Sequence, residues 1–296
     1  MRNIIIFGLL LLLCSCQDFF STTIEIDPPE YTPQMVIHAY FNEGDSILIM
    51  RVNESKGLLE SIDRNAKFND ANVELFEDGI LIQTFDTIPQ DISTSLRFNY
   101  IAISNGPIIK SGKEYELRVS HPDYPTLTAK ERLPANSTIN SSQLIVNENT
   151  GGGFEAENTV KVNFDNPLGE ENYYEIGMVA TDTFMMDTFS YEAYSYTTDL
   201  NAQVGYDYDK VLLSDENFDG KNYILSVDTY NSGNAGLTMI WKEFSKGLYL
   251  YSKSIREHLD SQGFGFFVEP VSVYSNVENG LGIFGLFRTK IFPVEE

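Results

Sequence analysis

Cysteine is almost missing from this chain: the two present, Cys14 and Cys16, both fall within its first sixteen residues. The body of the protein therefore has no thiol for a disulfide, a metal or a nucleophile, and its stability must come from packing. Basic side chains are also scarce, with 20 Lys and Arg against 43 Asp and Glu and a net charge of −23. An acidic, solvated surface of this kind repels phosphate, which excludes nucleic acid as a partner. Histidine is limited to His38, His121 and His258. They fall on an expected strand, turn and helix without metal-ligand spacing, so each is read as structural or solvated. No Gly-x-Ser-x-Gly elbow, His-Glu-x-x-His helix or phosphate-cradling glycine loop occurs. Beyond residue 13 no apolar run approaches the length of a membrane helix.

What is present begins with targeting. Arg2 precedes Ile4 to Leu13, an apolar run of about ten residues, which is the length of a signal-peptide core and too short to cross a bilayer. Leu13-Cys14-Ser15-Cys16 resembles the bacterial lipobox, in which a small residue precedes the cysteine that is lipidated after cleavage. Cys16 fits, whereas Cys14 would place Leu13 at the small-residue position. The resemblance implies a signal peptide over residues 1–15 and acylation at Cys16. Two or more acyl chains anchor stably, at roughly 0.8 kcal/mol per buried methylene, so membrane lipid is the first expected partner. Residues 16–33 carry Pro28, Pro29 and Pro33 among acidic side chains and read as an extended, lipidated tether.

Short β-rich runs follow. Met35 to Phe41 and Ser46 to Val52 flank Asn42-Glu43-Gly44-Asp45, and Ala71 to Phe76 and Ile80 to Phe85 flank an Asp78-Gly79 hairpin turn. Tyr115, Leu117 and Val119 alternate with charges, the pattern of a half-buried strand. Leu96 to Ile103 and Leu127 to Glu131 complete the set. This spacing predicts a mainly β fold that starts with an immunoglobulin/fibronectin-like β-sandwich over residues 34–137. A second β-rich domain is expected over 138–296. The boundary is expected before the polar stretch from Asn140 to Asn158, whose glycines are expected as a loop inside the second domain, and Thr183 to Asp209 is expected as a long functional loop or irregular face. Strands are expected at Thr159 to Phe164, Tyr173 to Thr181, Tyr223 to Tyr230 and Leu237 to Trp241. The period then changes: Phe244, Leu248, Tyr251, Ile255 and Leu259 predict one amphipathic helix over about 243–261.

Three groups of side chains are candidates for chemistry. Asp215, Asn217 and Asp219 before Gly220 match the first half of a calcium loop. However, Ser226 stands where a bidentate Glu would complete it, and a strand is expected to follow, so a polar turn is the preferred reading. Phe189, Tyr191, Tyr194, Tyr196, Tyr206 and Tyr208 offer large contact area at low entropic cost to a ligand or partner, although core packing accounts for some of them. Asp45-Ser46-Ile47 and Asp86-Thr87-Ile88 are similar to an O-glycosylation triplet, with Ser46 and Thr87 as acceptors.

Several segments carry a family resemblance: Ala71-Asn72-Val73 with Glu77-Asp78-Gly79, Gly112 to Leu117, Leu213-Ser214-Asp215, and Phe218-Asp219-Gly220. The most distinctive is Glu269-Pro270 followed by Ser275-Asn276-Val277-Glu278-Asn279-Gly280-Leu281-Gly282-Ile283-Phe284-Gly285. Together with the lipobox, these resemble an uncharacterised family of Bacteroidota lipoproteins, domain of unknown function 4249. The resemblance implies an envelope lipoprotein that accompanies TonB-dependent outer-membrane transporters, and it brings no catalytic residues. The expected function is thus a non-enzymatic lipoprotein anchored at the outer membrane and facing the cell surface. It would assist a β-barrel transporter or capture ligand for it, without a cofactor. An anchored glycan hydrolase using a carboxylate pair is one alternative, and an adhesin or envelope scaffold is another.

Overall fold

A computed structural model describes residues 31–57, 68–89, 98–146, 155–184, 187–204, 210–232, 236–263 and 271–295. Cys16, the tether as far as residue 30, Tyr206, Tyr208 and Glu269-Pro270 lie outside the described residues. The strands and helix below belong to one compact unit, Gln34–Ser55 with Asp63–Glu296.

The early alternation sorts side chains into a core. β1 (Met35–Asn42) buries Met35, Ile37, Ala39 and Phe41, and β2 (Ile47–Glu54) buries Leu48, Met50 and Val52 in antiparallel register beside it. β6 (Tyr100–Ile103) and β5 (Asp86–Thr87) extend this sheet outward from β2. A second sheet contains β3 (Asn72–Glu77), β4 (Ile80–Thr84), β7 (Glu114–His121), β8 (Tyr124–Arg132) and β17 (Val277–Glu278), in the order β17-β8-β7-β3-β4. Asp78 and Gly79, with φ of 48° and 83°, form the tight turn between β3 and β4. Such a turn matches the right-handed twist of the strands it joins. Ile37, Phe41 and Met50 from one sheet meet Leu75, Leu117 and Leu127 from the other in a single core, which makes a β-sandwich.

The remaining strands are β9 (Thr138–Val146), β10 (Glu155–Asp165), β11 (Tyr173–Phe184), β12 (Asp187–Tyr196), β13 (Ala202–Val204), β14 (Lys210–Ser214), β15 (Asn222–Ser232), β16 (Gly236–Phe244) and β18 (Leu281–Pro293). They run in the order β18-β16-β11-β12-β15-β10-β9, with β14 pairing to β11 and β13 to β14. The run curls back on itself: the Leu144 amide donates to the Glu295 carbonyl at 2.7 Å, and the Glu295 amide to Ser142 at 3.2 Å. Inside lies a second core around Trp241, whose ring meets Phe164 edge-on at 4.8 Å.

Two stretches differ from expectation. The polar segment after Asn140 is strand β9 up to Val146, because its ladder to β10 and the inward Ile139 and Leu144 hold it while its polar side chains face water. Thr183 to Asp209 contains the end of β11 together with β12 and β13. Asp187 to Ser190 are all exposed, so the hairpin tip offers no inside–outside alternation to read.

β18 belongs to both halves of the chain. It pairs in parallel with β1 and antiparallel with β16; Phe284 and Leu286 lie in the first core, and Phe292 packs on the second. The segment around 277–286, expected with the C-terminal domain, therefore completes the N-terminal sandwich. The helix α1 (Lys246–Gly263) starts three residues after the expected Glu243, because Glu243 and Phe244 are the last rungs of the β16 ladder. Leu248 packs onto Gly285, where an added Cβ would stand 2.9 Å from the leucine. Between the two cores Arg288 is ion-paired to both Glu43 and Glu243, and Lys290 reaches Glu243 at 2.5 Å. Ser137 Oγ donates to the same Glu243 at 2.6 Å.

Candidate functional site

The calcium-like turn is committed to the fold. Buried Asp215 accepts from Asn166 and Asn172 at 2.9 and 3.0 Å, Asn217 donates to Asn201 at 2.6 Å, and Asp219 accepts from the Gly169 amide at 3.0 Å. The three side chains serve different partners, and no metal-holding group of His, Cys, Asp and Glu occurs among the described residues. The histidines stay apart. His121 lies 3.2 Å from Asp70, His258 Nδ1 lies 2.8 Å from the Val271 carbonyl, and burial together with Arg51 lowers the His38 pKa. Ser46 is half-buried ahead of β2 and Thr87 is exposed on β5.

The aromatic residues divide by strand alternation. Phe189 and Tyr191 share one face of β12 and stack at 6.1 Å, while Tyr194 and Tyr196 occupy the other. On that outer face Tyr194 pairs in register with Tyr230 of β15, and Tyr196 stacks on Tyr230 at 5.8 Å. Tyr194 is 60% and Tyr230 39% exposed, so the face is open to solvent. Tyr230 was not singled out in the sequence, since its place beside Tyr194 depends on a strand pairing across 36 positions.

A groove of about 460 Å³ runs beside α1. The helix contributes Tyr249, Lys253 and Glu257, β13 contributes Gln203, and the turns before β13 and after β14 contribute Asn201 and Glu216. Tyr173 and Tyr249 stack at 4.4 Å to form the inner wall. Arg256 fixes the walls together: its guanidinium donates to the carbonyls of Lys210 at 3.0 Å and Gln203 at 3.4 Å and lies 3.7 Å from Glu175. Burial first, then the carboxylates of Glu216 and Glu257, pushes the Tyr249 hydroxyl pKa up. The groove was not evident from the sequence. Its one legible trace is the four-residue spacing of Tyr249, Lys253 and Glu257, a single row on the helix. A shallower depression of about 290 Å³ is lined by side chains already paired, Arg132 with Glu170 at 3.5 Å and Lys246 with Glu171 at 2.5 Å.

One carboxyl is held close to neutrality. Burial raises the Glu131 pKa to about 7, against hydrogen bonds from Ser245, Asn276 and the Gly247 and Arg132 amides that favour its charged form. Asn276 Nδ2 donates to Glu131 at 2.7 Å and to the Phe284 carbonyl at 2.7 Å, and its Oδ1 accepts from the Phe284 amide at 3.1 Å. The distinctive Ser275 to Gly285 segment is thus a structural clamp between β8, α1 and β18. Because the folded state binds this proton more tightly than the unfolded chain, the Glu131 contribution to stability is fully present below pH 4.5 and is lost as pH rises through about 7. The expected loss is about 3 kcal/mol. Urea midpoints at pH 5 and pH 8 check this, and Glu131→Gln should flatten the decline.

Among solved structures the chain is similar to one titled "Biofilm associated protein - B domain", with a TM-score of 0.19 and 8% identity, covering 88% of this chain and 86% of that one. No curated protein matches it in sequence. A family model described as Domain of unknown function (DUF4249) matches residues 21–290, and the chain belongs to that family.

Proposed function

We propose that this protein is a non-enzymatic lipoprotein, anchored through acylated Cys16 in the outer membrane and facing the cell surface, that assists a TonB-dependent β-barrel transporter. The observation that carries the reading is the exposed tyrosine face of β12 and β15, Tyr194 beside Tyr230 and Tyr196. Tyrosines pack a large area against a partner while losing few rotamers, and they are enriched where protein surfaces dock. The lipobox-like Leu13 to Cys16 and the acidic, outward-facing composition support the placement.

The test is recovery of the tagged protein from native membranes in mild detergent. A β-barrel protein should co-purify in near-stoichiometric amount. Tyr194→Ala combined with Tyr230→Ala should lower its recovery about tenfold or more, as loss of two docking aromatics would. Phenylalanine at both positions should retain most of it. A chain that always purifies alone refutes the reading.

A further inference from the structure

We propose that the groove between α1, β13 and the turn after β14 binds a short basic peptide. Glu216, Glu257 and Lys253 all line it. None of these three side chains forms an ion pair or hydrogen bond among the described residues. Elsewhere in the fold neighbouring opposite charges do close onto each other, as in Lys113 with Asp78 at 2.6 Å and Lys242 with Glu175 at 3.0 Å. In the groove Lys253 and Glu257 stand one turn apart on α1 with Glu216 on the facing wall, and all three remain available.

The groove's hydrogen-bonding capacity points to the class of ligand. Gln203 also lines it, and its buried Oε1 meets no donor among the described residues, a state that is costly for an acceptor. Two carboxylates call for a ligand rich in N–H donors and positive charge, while Lys253 calls for one anionic group. A peptide with an N-terminal ammonium, one lysine side chain and a C-terminal carboxylate presents that complement. The volume suits two or three residues, and the stacked Tyr173 and Tyr249 give its aliphatic stem an apolar wall. The net charge of −23 draws such a ligand toward the protein and repels acidic ones. None of this depends on transporter docking, which involves β12 and β15, so either reading can fail alone.

Isothermal titration of the full-length acylated protein in nonionic detergent with Gly-Lys-Gly tests the proposal. One peptide should bind per chain, and Gly-Glu-Gly should bind at least about tenfold more weakly. Glu216→Gln together with Glu257→Gln should cost at least about tenfold in affinity. Lys253→Ala should weaken the tripeptide while sparing its C-terminal amide. Asp123→Asn, which removes a carboxylate exposed at 83% on the β7–β8 turn, should leave binding unchanged. No heat at about 1 mM peptide overturns the proposal. So does equal binding of Gly-Glu-Gly, or a loss with Asp123→Asn as large as that with the groove variants, which would mark diffuse attraction to an acidic surface.

Discussion

Gly282→Ala should destabilise the protein by about 2–5 kcal/mol, with roughly 1–2 from the backbone and about 1–3 from overpacking. Gly282 sits in β18 at φ 107°, and an added Cβ would stand 1.9 Å from the carbonyl oxygen of Ile37, its ladder partner on β1. The obstruction is main chain, so no rotamer change relieves it. Relief requires separating β18 from β1, the pairing that unites the first and last parts of the sandwich. Gly236→Ala is the control: nothing lies within 4 Å of its Cβ, and a change within about 0.5 kcal/mol is expected. Urea unfolding followed by tryptophan fluorescence measures both. An unchanged midpoint for Gly282→Ala would show that the close approach is not maintained in solution.

Arg288→Ala should cost about 3–5 kcal/mol, the usual consequence of stripping a buried ion pair of one partner. Arg288 is 6% exposed and pairs with both Glu43 and Glu243; among the described residues Glu243, at 2% exposure, would keep Lys290 and Ser137. Arg288→Lys should recover only part of the loss, since a single ammonium lacks the fork that reaches two carboxylates at once. The penalty should vary little between 0.05 and 0.5 M salt, because counterions do not reach the site. A loss that vanishes at high salt would mean that the network is solvated. Arg288 and Lys290 both come from β18, so strand pairing and charge network are disturbed together at this junction.

Much of the fold was legible where each residue's environment follows from its immediate neighbours. The Asp78-Gly79 turn, the alternation of Tyr115, Leu117 and Val119, and the helical spacing from Leu248 to Leu259 are local signals, and each appears in the structure. β9 was hidden because its stability comes from β10, while most of its own side chains face solvent. β12 was hidden because its tip extends past the core, leaving no apolar side to mark. The glycines of Ser275 to Gly285 suggested close packing without identifying the partners, which are Ile37, Leu127 and Leu248.

The candidate sites show the same division. Tyr194 and Tyr196 could be selected by type, but Tyr230 joins them only through strand pairing. The groove unites Tyr173, Gln203, Glu216 and Lys253, separated by up to 80 positions along the chain.

The sequence by itself determined family membership, acidic surface, the absence of thiols from the body, the strand-rich class and the helix near the C-terminus, because composition and short-range periodicity need no knowledge of distant residues. The tertiary structure alone decided that β18 serves two cores, that Asp215, Asn217 and Asp219 brace a turn, and that opposite charges face an open groove unpaired. Those outcomes depend on which distant backbones share hydrogen bonds, a choice made by the packing of the whole chain.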